Sequence, residues 1–194
     1  MHKDLLDNTL AAFDKANACD PNMEIYKGKE IPRELLYGQR MSEELSMFVS
    51  APSVHLQLAA RAQHIERWQS PRSDYPDGRS GYKKWRSQLY LFHAQRAGEI
   101  MQAQGYDQDD IDRVRFLIQK RQMKTDQESQ TLEDTVCLVF LRHYIEAFAL
   151  KHSQEKLIGI IQKTWNKMSE NGHQAALKIN FSEKIFSLLQ KSLQ

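Results

Sequence analysis

Glycine and proline are sparse in this chain of 194 residues, 8 and 5 in number, and no long segment alternates apolar with polar residues. Strands need that period of two and sheet-rich folds need frequent turns, so the composition argues against a sandwich, a barrel or an alternating α/β architecture. Cysteine is nearly absent as well. Cys19 and Cys137 stand far apart, which excludes a disulfide framework and a paired-cysteine zinc site and suits two free thiols in a reducing compartment. Long apolar runs are missing too. The most conspicuous, "VCLVFL" at 136–141, falls far short of the roughly 20 residues that span a bilayer. The opening "MHKDLLDNTLAAFDKAN" is broken by acids and carries no secretory pattern, so a cytoplasmic protein with no membrane partner is expected. Finally, neither sign of charge dominates: 27 Lys and Arg against 25 Asp and Glu leave a net charge of +2, not the excess of a dedicated nucleic-acid binder.

What the chain does contain is helical periodicity. Apolar residues recur three or four apart in nearly every long segment, so the expected fold is all-α, a single compact helical domain over 1–194. Leu6, Leu10, Phe13 and Ala16 make a first stripe, ended by the "CDPN" turn. Pro32 sits near the start of a second helix, "PRELLYGQRMSEELSMF". A third is expected over "VHLQLAARAQHIERW", with Leu58, Ala62 and Ile65 facing the core, and ends before Pro71. A long helix containing "YKKWRSQLYLFHAQRAGEIMQAQ" closes at Gly105, and Asp107 caps the helix of Ile111, Val114, Leu117 and Ile118. "LEDTVCLVFLRHYIEAFALKH" is the most apolar helix, and Ser153 opens another that runs to about Gly172. The tail "LKINFSEKIFSLLQKSLQ", whose 178–194 reads as an amphipathic C-terminal extension, places Leu177, Phe181, Ile185 and Leu188 on one face that packs on the body by default, with a twin subunit in a homodimer or a membrane surface as the alternatives.

Residues 61–86 carry a local surplus of four positive charges, so the rest of the chain is net negative. Arginine grips phosphate and carboxylate through its two-pronged guanidinium, and aromatic faces stack on a base or exclude water. Arg40, Arg61, Arg72, Arg79, Arg86, Tyr82 and Trp85 are therefore the candidate ligand-binding residues, with an anionic small molecule as the expected partner. A solvated loop whose aromatics plug two helix ends is the plainer alternative. Helical spacing also places Arg61, His64 and Trp68 on one flank, and Arg86, Leu89, His93 and Arg96 on another. Antiparallel packing of these two helices would bring His64 and His93 face to face. Glu133 and Asp134 stand at the head of "LEDTVCLVFL", where the helix dipole favours carboxylates whether or not a metal is bound. Two imidazoles and a carboxylate suit one divalent transition metal that activates a water, giving His64, His93 and Asp134 as candidate metal ligands and Glu66 and Glu133 as candidate proton-handling groups.

The ordered set "DPN", "ELLYGQRM", "AARAQHIERW", "PRSDYP", "GY" followed by "WR", "FHA" and "LEDTVCLVFL" resembles a family of small bacterial and fungal proteins catalogued as a conserved domain of unknown function. "AARAQHI", followed about thirty residues later by "FHAQRAGEIM" and "GYDQDDIDRVRFLI" and then by "LEDTVCLVFL", looks like a worn form of the HD-domain phosphohydrolases, helical metalloenzymes with a His, a His-Asp pair and a distant Asp. That resemblance implies that His64 stands for the histidine of the pair, His93 for the extra histidine of some members, and Asp134 or Glu133 for the last acid. Ile65 replaces the aspartate of the pair. The early histidine has no counterpart near Tyr37, Gln39 and Arg40. The resemblance therefore implies an HD-like bundle with one metal, or a metal-free pocket in which Arg40, Arg61 and Arg86 replace the cation. The expected function is metal-assisted hydrolysis of a phosphate ester or anhydride of a small molecule or nucleotide. A non-enzymatic nucleotide- or RNA-binding module on the same Arg and aromatic surface is the alternative, nucleic acid being the less favoured partner.

Overall fold

The computed structural model describes the backbone of residues 2–192 and the side chains of residues 4–192, and the all-α class expected from the sequence is what it shows. The contacts gather into two compact units, residues 1–122 and 123–194. No helix among the described residues is long and apolar enough to cross a membrane.

The first unit comprises α1 (His2–Asn17), α2 (Arg33–Phe48), α3 (Val54–Arg61), α4 (Gly78–Gln104) and α5 (Gln108–Ile118). Helix α1 packs on α2, α3 and α4, α3 also meets α2 and α5, and α4 lies along α5. Phe13, Met41, Leu45, Leu58, Ile65, Met101, Leu117 and Ile118 fill the core between them. The boundaries follow local chemistry. Ser53 accepts from the Leu56 N–H, Asp107 accepts from the Asp110 N–H, and Gly105 closes α4 at φ 100, a left-handed conformation that only glycine adopts without penalty. Between α1 and α2, β1 (Met23–Tyr26) and β2 (Lys29–Pro32) form an antiparallel hairpin that the sequence reading did not include. Lys27 and Gly28 turn it at positive φ, the geometry that two-residue hairpins require. Four-residue strands with largely exposed side chains leave little alternation to read.

The second unit comprises α6 (Gln127–Val139), α7 (Ile145–Ala149), α8 (Gln154–Trp165), α9 (Glu170–Ala176) and α10 (Glu183–Ser192). A π-helical turn over Phe140–Tyr144 joins α6 to α7. Helix α6 packs on α9, and α10 packs on α8 and α7, burying Ile185, Leu188 and Leu189. The C-terminal stripe thus packs within its own unit, although Leu177 is 55% exposed. The helix expected to run from Ser153 to Gly172 is instead two helices, because Ser169 caps α9 by accepting from the Gly172 N–H.

Candidate functional site

Helix α3 ends at Arg61, well before the Trp68 expected of it. The cause is a tight turn. Glu66 adopts φ 49, its N–H donates to Asn17 Oδ1 at 2.9 Å, and its carboxylate receives Arg96 Nε at 2.6 Å and Nη2 at 3.3 Å. The row Arg61, His64, Trp68 is therefore not a helix flank. His64 leaves the turn instead and stacks on Tyr37 of α2, ring centroids 4.0 Å apart and nearly parallel.

On α4, Arg86, Tyr90 and His93 follow one another at helical spacing. The His93 ring lies 5.8 Å from the His64 ring, so the structure brings the two histidines together. His93 is 1% exposed. Its Nδ1 meets the Ile65 carbonyl at 2.8 Å, and a carbonyl only accepts, so Nδ1 carries the proton. Nε2 is then a bare lone pair, buried and without a hydrogen-bond partner. Burial holds the ring neutral: desolvation outweighs the Ile65 hydrogen bond and, with Arg67 and Arg86 nearby, brings the pKa of His93 down to about 3. His64 is likewise driven well below the ordinary imidazole range, by burial first and then by Arg67, His93, Arg86 and Lys120. The two rings are neutral acceptors in a region of positive potential.

Arg67 ties the site together. Its Nη1 lies 2.8 Å from His64 Nε2 and 3.2 Å from Nδ1, and the guanidinium lies over the Trp85 ring, 5.1 Å from the centroid. Trp85 is anchored in turn through Nε1, which donates to the Ser70 carbonyl at 2.9 Å. Arg67 makes no ion pair among the described residues. Arg86 donates to the Tyr90 hydroxyl at 2.6 Å, and both its guanidinium and Lys120 Nζ lie over the Tyr90 ring, at 5.1 and 5.8 Å. Behind His64, Glu34 of α2 places Oε2 3.4 Å from Nδ1. Burial raises the Glu34 carboxyl to about 7, against the pull of Arg67.

Other candidates from the sequence are engaged elsewhere. Arg40 donates to Glu24 at 2.6 Å, while Arg61 binds both Asp14 oxygens and Ser42 Oγ. Arg72 donates to the carbonyls of Tyr75 and Pro76 and so clamps its own loop. Glu66 is the partner of Arg96. Tyr82 is 49% exposed beside Trp85, and Arg79 is exposed.

Glu133 and Asp134 belong to the second unit. They do not head their helix, because α6 begins at Gln127 behind an Asp126 cap. Glu133 is 2% exposed, 3.4 Å from Lys167 Nζ. Asp134 accepts from Ser169 N–H, Ser169 Oγ–H and Gln130 Nε2, which makes it the anchor of the α9 start.

Among the described residues no group of three or more His, Cys, Asp or Glu side chains is gathered to hold a metal ion. Glu34, Arg67 and Lys120 are the site residues that the sequence reading passed over. Glu34 is an acid in a first helical turn, Arg67 one cation of the basic stretch 61–86, and Lys120 follows a helix whose end gives no hint of what it faces.

The fold and this cluster define a helical protein with a pair of neutral imidazoles bordered by guanidinium and ammonium groups. The chain belongs to a known family: the model described as a domain of unknown function (DUF4202) matches residues 7–189. No curated protein and no solved structure matches it.

Proposed function

We propose that the first unit binds a phosphorylated small molecule and that its reaction is hydrolysis of the phosphate ester or anhydride. The observation that carries the reading is the buried, unpartnered Nε2 of His93 in a region made positive by Arg67, Arg86 and Lys120. A buried acceptor left without a donor costs about 1–3 kcal/mol, a cost that a bound hydroxyl or water removes. Arg67 is the natural phosphate ligand, since its charge meets an imidazole and an indole rather than a carboxylate. With its pKa near 3, His93 is too weak a base to take a proton at neutral pH, but its lone pair can orient an attacking water. The cations then stabilise charge developing on the phosphoryl oxygens.

The metal-assisted form of this reading has His93 as its first candidate ligand. Metal-binding histidines generally have the opposite nitrogen held by a hydrogen bond, as Nδ1 is here. His64 fits less well, because Arg67 occupies its Nε2. The donor set of the first unit is therefore poorer than that of an open catalytic metal centre, and the chemistry above is derived from the chain's own cations. A nucleotide as ligand is favoured by Tyr82 and Trp85, whose rings adjoin at 5.8 Å with Tyr82 half exposed. The same surface serves a binding module without hydrolysis.

The test is turnover of p-nitrophenyl phosphate and a panel of nucleotides by the full chain, with and without prior chelation, alongside metal analysis. Turnover that falls at least tenfold in His93→Ala and Arg67→Met supports the reading. No turnover and no phosphate binding in the wild type overturns it, and phosphate binding without turnover leaves the binding module.

A further inference from the structure

We propose that Asn17 is a positioning residue for the site: acting through a single peptide plane, it decides which ring nitrogen of His93 carries the hydrogen and which one is left bare. This rests on the reading above, in which the bare Nε2 of His93 serves the anion site. The plane is the one that joins Ile65 to Glu66. Its carbonyl accepts from His93 Nδ1 at 2.8 Å, and its N–H, on the opposite side of a trans peptide, donates to Asn17 Oδ1 at 2.9 Å. One rigid unit is thus held at both ends, by α4 and by the last residue of α1. Asn17 is 1% exposed, and its amide has no choice of orientation. The Glu34 carbonyl, 3.3 Å from Nδ2, only accepts and the Glu66 N–H only donates, so the two partners assign the amide oxygen and nitrogen.

The backbone shows what this anchor works against. Glu66 stands at the third position of a turn in which the Arg67 N–H donates to the His64 carbonyl at 3.1 Å, and there its φ is 49. A residue with a Cβ disfavours that conformation, whereas rotating the central peptide of the turn by about 180° returns φ to the ordinary negative range. The rotated plane would point the Ile65 carbonyl away from His93. Nothing would then hold the hydrogen on Nδ1, and a hydrogen on Nε2 would turn the lone pair of the site into a donor. The Asn17 oxygen opposes the rotation by keeping the Glu66 N–H. Arg96 assists by gripping the Glu66 carboxylate, Nε at 2.6 Å and Nη2 at 3.3 Å. It follows His93 by three residues on α4, so one face of that helix takes both the carbonyl and the carboxylate of the turn. The acceptor that a bound hydroxyl or water would meet is therefore set from the end of α1. Asn17 itself touches neither His93 nor the cations around it among the described contacts, which makes its role one of orientation.

The experiment is nitrogen NMR of the histidine rings in the full chain at neutral pH without ligand, where the two neutral forms of an imidazole differ in which nitrogen shows a bound hydrogen. In Asn17→Ala the Nε2 signal of His93 should move from the bare towards the hydrogen-bearing range. Asn17→Asp keeps an oxygen for the Glu66 N–H while giving up the donor to Glu34, and it should restore the wild-type pattern; a residue that only fills space would not be rescued in this way. A His93 pattern unchanged in Asn17→Ala, or shifted equally in both variants, overturns the proposal. The second measurement uses the wild type alone and is independent of how any variant folds. Scalar couplings across hydrogen bonds should link the Glu66 amide nitrogen to the Asn17 side-chain carbonyl carbon and His93 Nδ1 to the Ile65 carbonyl carbon, and the absence of either contradicts the shared plane. Titration with inorganic phosphate is read separately. A wild type that binds no phosphate removes the anion site, while the ring signals still decide whether Asn17 sets the tautomer.

Discussion

Acidification should unfold the first unit through His93. In the folded chain the ring stays neutral down to about pH 3, whereas in the unfolded chain it titrates at its ordinary 6.5. Between those values the unfolded state binds more protons, so stability is fully present above about pH 6.5 and is lost as pH falls towards 3. At 1.36 kcal/mol per unit, the full effect is on the order of 5 kcal/mol, enough to consume much of a small domain's stability. Glu34 acts oppositely. Its folded pKa of about 7 exceeds the ordinary 4.5, so it favours the folded state fully below 4.5 and that contribution is lost as pH rises through 7. The two partly offset each other around pH 5 to 6, and only a variant separates them. Urea unfolding in a Trp165→Phe background, where Trp68 and Trp85 report the first unit, should show His93→Gln losing far less stability than the parent between pH 6.5 and pH 4, whatever its offset at neutral pH. Parallel curves for parent and variant would refute the reasoning.

Asp134→Ala should destabilise the second unit by about 3–5 kcal/mol, because Ser169 N–H, Ser169 Oγ–H and Gln130 Nε2 lose their common acceptor; hydrogen exchange localised to 169–176 checks it, and unchanged protection there counts against the anchoring role. Gly38→Ala should cost about 1–3 kcal/mol in thermal unfolding, since the new Cβ would stand 2.9 Å from the Arg61 carbonyl oxygen where α2 meets the end of α3; an unaltered midpoint means that the approach is looser than described. Arg61→Met should lower stability by about 1–3 kcal/mol with phosphate affinity kept, while Arg67→Met should cost about tenfold or more in phosphate affinity with little loss of stability. Equal effects of the two on phosphate titration would dissolve the distinction drawn between them.

Much of the architecture was legible because it rests on local signals. Gly105, Asp107 and Ser153 punctuate helices as their chemistry requires, and Leu58, Ala62 and Ile65 are all fully buried. His64 and His93 do lie side by side, but not as two helix rows: His64 sits in the turn that follows α3, so their proximity comes from a tertiary turn and not from the spacing. What escaped was tertiary. The end of α3 is imposed by Asn17 and Arg96 acting on Glu66, from 49 and 30 residues away, and no local pattern around "QHIERW" announces it. The same long-range contacts decide which cations matter. Arg61 and Arg67 are both arginines in a basic stretch, yet Asp14 claims the first and a histidine with a tryptophan holds the second. Glu133 and Asp134 were misplaced at a helix start because the apolar run "LEDTVCLVFL" reads as the beginning, whereas Asp126 caps α6 and the polar "QESQT" forms its first turns. Glu34 was missed because its distinction is burial beside His64, which periodicity does not record.

Nitrogen NMR of the histidine side chains during a phosphate titration tests the central claim most directly. At neutral pH and before phosphate, His93 should show a protonated Nδ1 and a bare Nε2. Inorganic phosphate should then shift the ring nitrogens of His93 and His64 together while those of His55, paired with Asp110, and His173, stacked on Trp165, stay in place. A His93 Nε2 that carries a proton, or phosphate that moves none of the four or all of them alike, would contradict the account.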